Sequence, residues 1–411
     1  MTPKTKRHLT VAAVWAARIA VGVTFIISGW AKAIDPWGFL LKVNEYLAVW
    51  GYVLPRELVL APSIALSCVE FCTGILIAVG ALKRTSVWTA AAMMAFMLPL
   101  TVYIAMYNPV SDCGCFGDFI VISNAATLAK NIVLTGLIVF LILYNRRVAG
   151  LYAAPIQWLV ITASLAYPLL LSLTGFNVQP LVDFRPYKVG TPLFAETAQD
   201  TPDTYYIYER DGERRQFGLS ELPDSSWTFV DMVGEELSAP EAGFEIRDND
   251  GNAINDELAD ATPALFLIVP HPGMSFLSYT HYVNTIAERA DSLGITTIGV
   301  AGTSGDALGK WAELMRPRFE IYSAEDTSLK QLARGDAALV FVDDDGIIRW
   351  KRSLASVGGS MENPTEVEPI DDGRLNAYIL AAYAAIMAII YMLSLSPKIL
   401  RLFARRKEKN M

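Results

Sequence analysis

Cysteine is scarce in this chain. Four of its 411 residues are cysteines, at 68, 72, 113 and 115, and none follows Cys115. No thiol chemistry can reside in anything beyond that point. Basic residues are scarce in one long stretch. Residues 183–372 hold 15 Lys and Arg against 35 Asp and Glu, a net of −20, whereas the rest holds 19 against 7, a net of +12. A stretch so acidic repels polyphosphate, which excludes nucleic acid as a partner. The sequence also lacks an inverted repeat and paired Gly/Pro-broken apolar segments, which argues against a transporter. Pro99 stands alone as a kink candidate in its segment. The run Asp248-Asn-Asp-Gly-Asn252 lacks the closing Glu of a calcium loop, since Ala259 occupies the twelfth position.

What the chain has in quantity is apolar sequence, 53% of its residues. Six runs are long enough to cross a hydrocarbon core, which takes about 20 residues: 11–33, 58–82, 86–107, 125–144, 154–175 and 374–395. They have helix length, not the alternating pattern of barrel strands. Lys4, Lys6 and Arg7, then Lys83 and Arg84, then Arg146 and Arg147, then Arg401, Arg405, Arg406, Lys407 and Lys409 all fall on one side if six helices alternate. The positive-inside rule makes that side the cytoplasm. The expectation is an inner-membrane protein in contact with the lipid bilayer, with both termini cytoplasmic and residues 177–373 periplasmic. A cleaved signal peptide fits the N-terminus poorly, because the first run is long and Arg18 interrupts it.

The spacing of elements predicts an all-α four-helix membrane bundle over 1–150 and a fifth transmembrane helix in 151–176. An extracytoplasmic linker and β-hairpin segment follow over 177–262, and an α/β domain over 263–355. A linker, the sixth helix and a basic tail complete the chain over 356–411, so that two helices tether the soluble domain. YYIYERDGERRQF (205–217) reads as strand, Asp-Gly turn and strand, and Phe244–Asn255 reads as a second hairpin around Asp250-Gly251. ALFLIV (264–269), a helix over Ser275–Ala290, TTIGVA (296–301), a helix over Asp306–Met315 and a hairpin of ALVFVD (338–343) with IIRWKR (347–352) follow the order of a thioredoxin-like domain. That fold carries its chemistry in Cys-x-x-Cys at a helix N-terminus. Here the loop is Pro270-His-Pro-Gly-Met-Ser275, and no proline precedes the terminal hairpin in Arg334-Gly-Asp-Ala-Ala338. The domain therefore reads as a docking module for a periplasmic protein. His271 is a solvated turn histidine on the simpler reading and a ligand on the other.

The chemistry is left to the bundle. Cys113 and Cys115 lie in Ser111-Asp-Cys-Gly-Cys-Phe-Gly-Asp118, on the periplasmic side of the expected topology. A Cys-x-Cys pair in an oxidising compartment closes only a small, strained and exchangeable ring. Redox-active thiols, a static disulfide, and a metal site with Asp112 and Asp118 are the three readings. Two thiolates fall short of the four ligands of structural zinc. Cys68 and Cys72 share one face of the second span and are either packing residues or a second redox element. At 1.5 Å per residue Cys68 lies roughly 15 Å below the outer boundary, so exchange with the loop needs a dipping loop or a small carrier such as a quinone. Charged groups in hydrocarbon are functional or paired. Arg18, Lys32, Glu70, Lys130 and Asn131 either hold the bundle together by pairing, or, for Glu70, take a proton beside a redox pair.

The stretch RIAVGVTFIISGWAKAIDP, the second span with a central Glu, DCGCFGD and Lys130-Asn131 resemble the DoxX/MauE membrane family over about residues 15–145. DFRPYKVG and the hairpin-then-thioredoxin order resemble a branch carrying such an extracytoplasmic domain. The resemblance implies a four-helix membrane bundle with envelope thiol–disulfide or quinone-linked redox. Its MauE members are tied to maturation of a disulfide-rich periplasmic enzyme of methylamine utilisation. Carried over by motif are Cys113 and Cys115, with Glu70 and Lys32 as bundle positions and Cys68, Cys72 and Lys32 beside a carrier. The competing reading is a non-enzymatic membrane scaffold that presents the thiol-free domain to an envelope partner.

Overall fold

The computed structural model describes residues 3–110, 112–194, 205–210, 213–217, 227–233, 244–272, 279–357, 363–367 and 372–409. The chain divides into two compact units, Met1–Phe184 with Ile370–Met411, and Arg185–Pro369.

The first unit is helical. In chain order it contains α1 (Pro3–Ile34), α2 (Pro36–Val49), α3 (Arg56–Val79), α4 (Thr85–Tyr107), α5 (Asn124–Tyr144) and α6 (Gln157–Asn177). A last long helix, Asp372–Lys409, joins them. Among the described residues, six stretches are long and apolar enough to span a membrane: Arg7–Ile34, Arg56–Val79, Thr85–Tyr107, Asn124–Arg147, Ala154–Asn177 and Gly373–Ser396. They coincide with the six apolar runs. α2 has no counterpart in the hydropathy reading. It begins where Asp35 accepts the amide of Gly38 at 2.8 Å with Pro36 at the first helical position, a capped start that fixes a helix too short to span.

Small residues set the contact between α1 and α3. A Cβ on Gly29 of α1 would lie 2.5 Å from the amide nitrogen of Phe71 and 2.8 Å from the carbonyl of Ser67, and one on Gly74 of α3 would lie 2.7 Å from the amide of Ile26. Only glycine lets these two backbones approach so far, the usual basis of helix association in lipid. Arg18 is fully buried at one end. Its guanidinium donates to Asn145 Oδ1 at 2.7 Å, Ala149 O at 2.9 Å, Val148 O at 3.0 Å and Asn145 O at 3.1 Å. These acceptors lie in the turn that follows α5, so the buried cation is satisfied by loop carbonyls and the Asn145 amide oxygen. At the bundle's side Tyr167 stacks on Tyr383 with centroids 4.6 Å apart, and Ser164 and Tyr383 hydroxyls share a hydrogen bond of 3.0 Å.

The second unit is built of strands and short helices. β1 (Tyr205–Arg210), β2 (Glu213–Phe217) and β3 (Thr228–Val233) form an antiparallel sheet of order β2-β1-β3, the expected hairpin with a further strand beside it. Then come β4 (Ile246–Arg247), α7 (Asn255–Asp260), β5 (Ala264–Val269), α8 (Thr280–Ser292), β6 (Thr296–Ala301), α9 (Gly305–Met315), β7 (Glu320–Ala324), α10 (Asp326–Leu332), β8 (Ala338–Val342), β9 (Ile348–Ser353) and α11 (Leu354–Val357). The helix of the first unit over Asp372–Lys409 is thus α12. The six-stranded sheet has the order β4-β7-β6-β5-β8-β9. β5, β6 and β7 are parallel to one another, and β4, β8 and β9 add antiparallel pairs. Every residue of the central β5 is buried. Ala264, Phe266 and Ile268 pack with α7 and α10, while Leu265, Leu267 and Val269 pack with α8 and α9. A strand covered on both faces is apolar throughout, as its sequence shows.

The turn expected around Asp250-Gly251 is present but short. Arg247 bridges Ala253 antiparallel, with Asp248 N donating to Asn252 O and Ile254 N to Ile246 O, each at 3.0 Å, and Asp248 Oδ1 collects the amides of Asp250 and Asn252 inside the turn. One expectation is corrected. The helix expected over Ser275–Ala290 runs from Thr280 to Ser292, and residues 273–278 lie outside those described.

Candidate functional site

The Cys113-Gly-Cys115 turn lies between α4 and α5. Gly114 has φ +67°, and a Cβ there would meet Lys42 Cγ at 2.5 Å. Glycine is thus required between the cysteines by both backbone and neighbour. Lys42 of α2 lies over the turn, paired with Asp112 at 2.7 Å and Glu45 at 2.8 Å. Asp112 also accepts the Gly114 amide at 2.7 Å. Tyr46 of α2 donates to the carbonyl of Cys113 at 3.0 Å, and Ser28 of α1 donates to that of Cys115. Asn124 holds the incoming strand through Val110 O at 3.0 Å. Both cysteines are about as buried as core residues, each 6% exposed.

The two sulfurs are 2.7 Å apart and unbonded. That is within about an ångström of a disulfide bond, so oxidation asks little of the backbone. Their environments differ. Cys115 is held below the ordinary thiol range, at about 7, first by the hydrogen bond from Cys113 and then by the charges of Lys130 and Lys32, which together outweigh burial. Cys113 is pushed up by that same hydrogen bond, by burial and by the charge on Cys115. Cys115 is therefore the more readily ionised sulfur of the pair, and Cys113 the one that holds its proton longer.

Cys115 also lies on the wall of a cavity of about 360 Å³. α1 contributes Thr24, Phe25, Ser28 and Lys32, α3 Leu66 and Glu70, α4 Met93, Met94, Phe96 and Met97, and α5 Lys130, Asn131 and Leu134. Leu66 and Phe96 are exposed on the outer face of the bundle, so the cavity opens sideways between α3 and α4. Lys32 and Glu70 form a buried ion pair of 2.7 Å, and Lys32 lies 5.1 Å from the ring of Phe39. Lys130 lies 4.4 Å from the ring of Phe116. The cavity is apolar along its length and cationic beside one sulfur, the character of a site for a flat organic molecule with polar edges.

The structure thus brings together Cys113, Cys115, Lys32 and Glu70. It leaves Cys68 and Cys72 apart from them: both are buried, neither lines the cavity, and Cys72 faces Ile161 of α6. On a helix, positions two apart point nearly opposite ways, so Glu70 cannot share a face with them. His271 is on the second unit, exposed, 3.5 Å from Asp326. Sequence reasoning did not find Lys42, Tyr46 and Ser28. The first two sit on α2, and Ser28 acts through a hydroxyl with no sequence signature.

Residues 10–144 match the model of the family described as methylamine utilisation protein MauE. Residues 202–235 match a domain of unknown function (DUF8463). No curated protein matches the chain. The first match covers both cysteines and every residue of the cavity, and with the six spans it makes this a multi-pass membrane protein.

Proposed function

We propose that this chain, whose residues 10–144 form a MauE-type membrane module, is a plasma-membrane dithiol–disulfide protein. It accepts electrons from an envelope protein at Cys113 and Cys115 and passes them to a quinone in the cavity. The observation that carries this is the double placement of Cys115, next to Cys113 and on the cavity wall. Closing the disulfide from the thiolate–thiol form releases two electrons and one proton; a quinone bound there would take both electrons and that proton, and would draw its second proton from water. Lys130 and Lys32 keep Cys115 ionised, Cys113 keeps its proton until the bond forms, and Glu70, paired with Lys32, is the nearby carboxylate for proton transfer. The apolar walls and lateral opening suit a lipid-soluble carrier, and Lys32, Asn131 and Lys130 are the groups that would hold its oxygens.

In this reading the cysteine turn, α2 and the second unit are periplasmic and both termini are cytoplasmic, as the flanking Lys and Arg direct. The second unit is a thioredoxin-like docking module. Its parallel β5, β6 and β7 with the terminal β8–β9 hairpin support that assignment, and its lack of cysteine makes it a surface for the partner. A membrane scaffold without chemistry is the alternative, favoured only by that lack.

Quenching living cells with acid and then labelling the unfolded protein with a maleimide of high mass tests the proposal. The pair should accumulate reduced when the quinone pool is depleted. A pair fixed in one state whatever the pool refutes it. A Cys113→Ser, Cys115→Ser variant should fail to complement a deletion strain at normal protein level, and full complementation favours the scaffold.

A further inference from the structure

At the end of the bundle that holds Arg18, a second groove of about 580 Å³ runs between the start of α1 and the residues after α5. Arg7 and Arg147 stand on its rim, both exposed, with Val11, Trp15 and Val148 below them. Arg7 begins the first membrane span and Arg147 ends the fourth. Both guanidiniums are therefore at one membrane boundary, with the apolar residues on the hydrocarbon side. Among the described residues neither meets a carboxylate, and Arg147 touches only the ring of Tyr144, at 5.1 Å. Arg18, close by, donates to Asn145 Oδ1 and three backbone carbonyls and lies 4.7 Å from the ring of Trp15. No acidic residue occurs in residues 1–18, 80–88 or 142–157, three of the segments that meet at this end.

Two unpaired cations over an apolar, tryptophan-containing trough at a membrane boundary recognise one chemistry, a phosphodiester with attached acyl chains. We infer that this groove is a binding site for an anionic membrane phospholipid, with Arg7 and Arg147 on the phosphate and the chains against Val11 and Trp15. Basic pockets between membrane helices take such headgroups. The site is separate from the cysteine turn and stands whether or not the chain carries out redox chemistry.

The test is native mass spectrometry of the purified full chain, titrated with phosphatidylglycerol or with phosphatidylcholine. The anionic lipid should be retained in preference, and an Arg7→Gln, Arg147→Gln variant should lose about thirtyfold of that preference, the scale set by two juxtamembrane cations. An Arg7→Lys, Arg147→Lys variant keeps the charge and should keep the preference, which guards against a folding defect. Equal retention of both lipids by the unmodified chain, an unchanged preference in the Gln variant, or displacement of the lipid by inorganic phosphate overturns the inference.

Discussion

The Lys32–Glu70 pair offers the sharpest test of how the bundle is held at its cysteine end. At 2.7 Å and an effective dielectric of about 20, the Coulomb attraction is about 6 kcal/mol gross. Desolvation of both ions cancels much of it, so the pair adds little beyond what an apolar pair would give. Breaking it is another matter. Glu70→Gln keeps the shape and a hydrogen-bond acceptor but strands the ammonium of Lys32, 5% exposed. An orphaned buried charge costs about 3–5 kcal/mol. At roughly 2–4 °C per kcal/mol for a domain of this size, the melting midpoint of the full chain in detergent should fall by about 6–20 °C. The double variant Lys32→Met, Glu70→Leu removes both ions and should recover most of the loss. Tryptophan fluorescence on heating, with monodispersity checked by gel filtration, reads both. A fall of less than about 1 kcal/mol in Glu70→Gln, or a double variant worse than the single, would refute the reasoning.

Two further outcomes follow from the site and its frame. In the reduced protein a small membrane-permeant alkylating agent should label Cys115 faster than Cys113. Its rate should rise with pH through about 7 and then level, because the thiolate is the reactive form. An unperturbed thiol would rise near about 8.5, and mass mapping that finds equal labelling at both sites counts against the assignment. Gly29→Ala should abolish a stable bundle, since its Cβ would lie 2.5 Å from backbone that cannot yield. Gel filtration should show aggregated material, and a normal monomeric profile would show that the α1–α3 contact tolerates side chains.

The six spans were legible because length and hydropathy decide them alone, and the flanking charges were consistent with that count. The Cys-x-Cys turn was legible from residue type. The cavity was not, because it depends on how each helix is rotated. Cys68, Glu70 and Cys72 are adjacent in sequence, yet Glu70 lines the cavity and the cysteines do not. The glycines at 29 and 74 fix which face of α3 meets α1, and that signal was in the sequence. α2 was missed for want of length, although Asp35-Pro36 announces its start. β7 and α10 were missed because Glu320–Leu332 mixes charged and apolar residues without a clean period. The turn within Phe244–Asn255 was legible from Asp250-Gly251, but its ladder stops at a single bridge.

α2 has a consequence for selectivity. The stem of Lys42 fills the space a side chain at Gly114 would need, and Tyr46 grips the Cys113 carbonyl. Dissolved oxidants and small thiols in the bulk therefore meet a closed face, however favourable the reaction. Under the proposed function, a redox partner would have to displace α2 to reach the sulfurs from that direction, which would sort reactants by size and fit before their reduction potentials are compared.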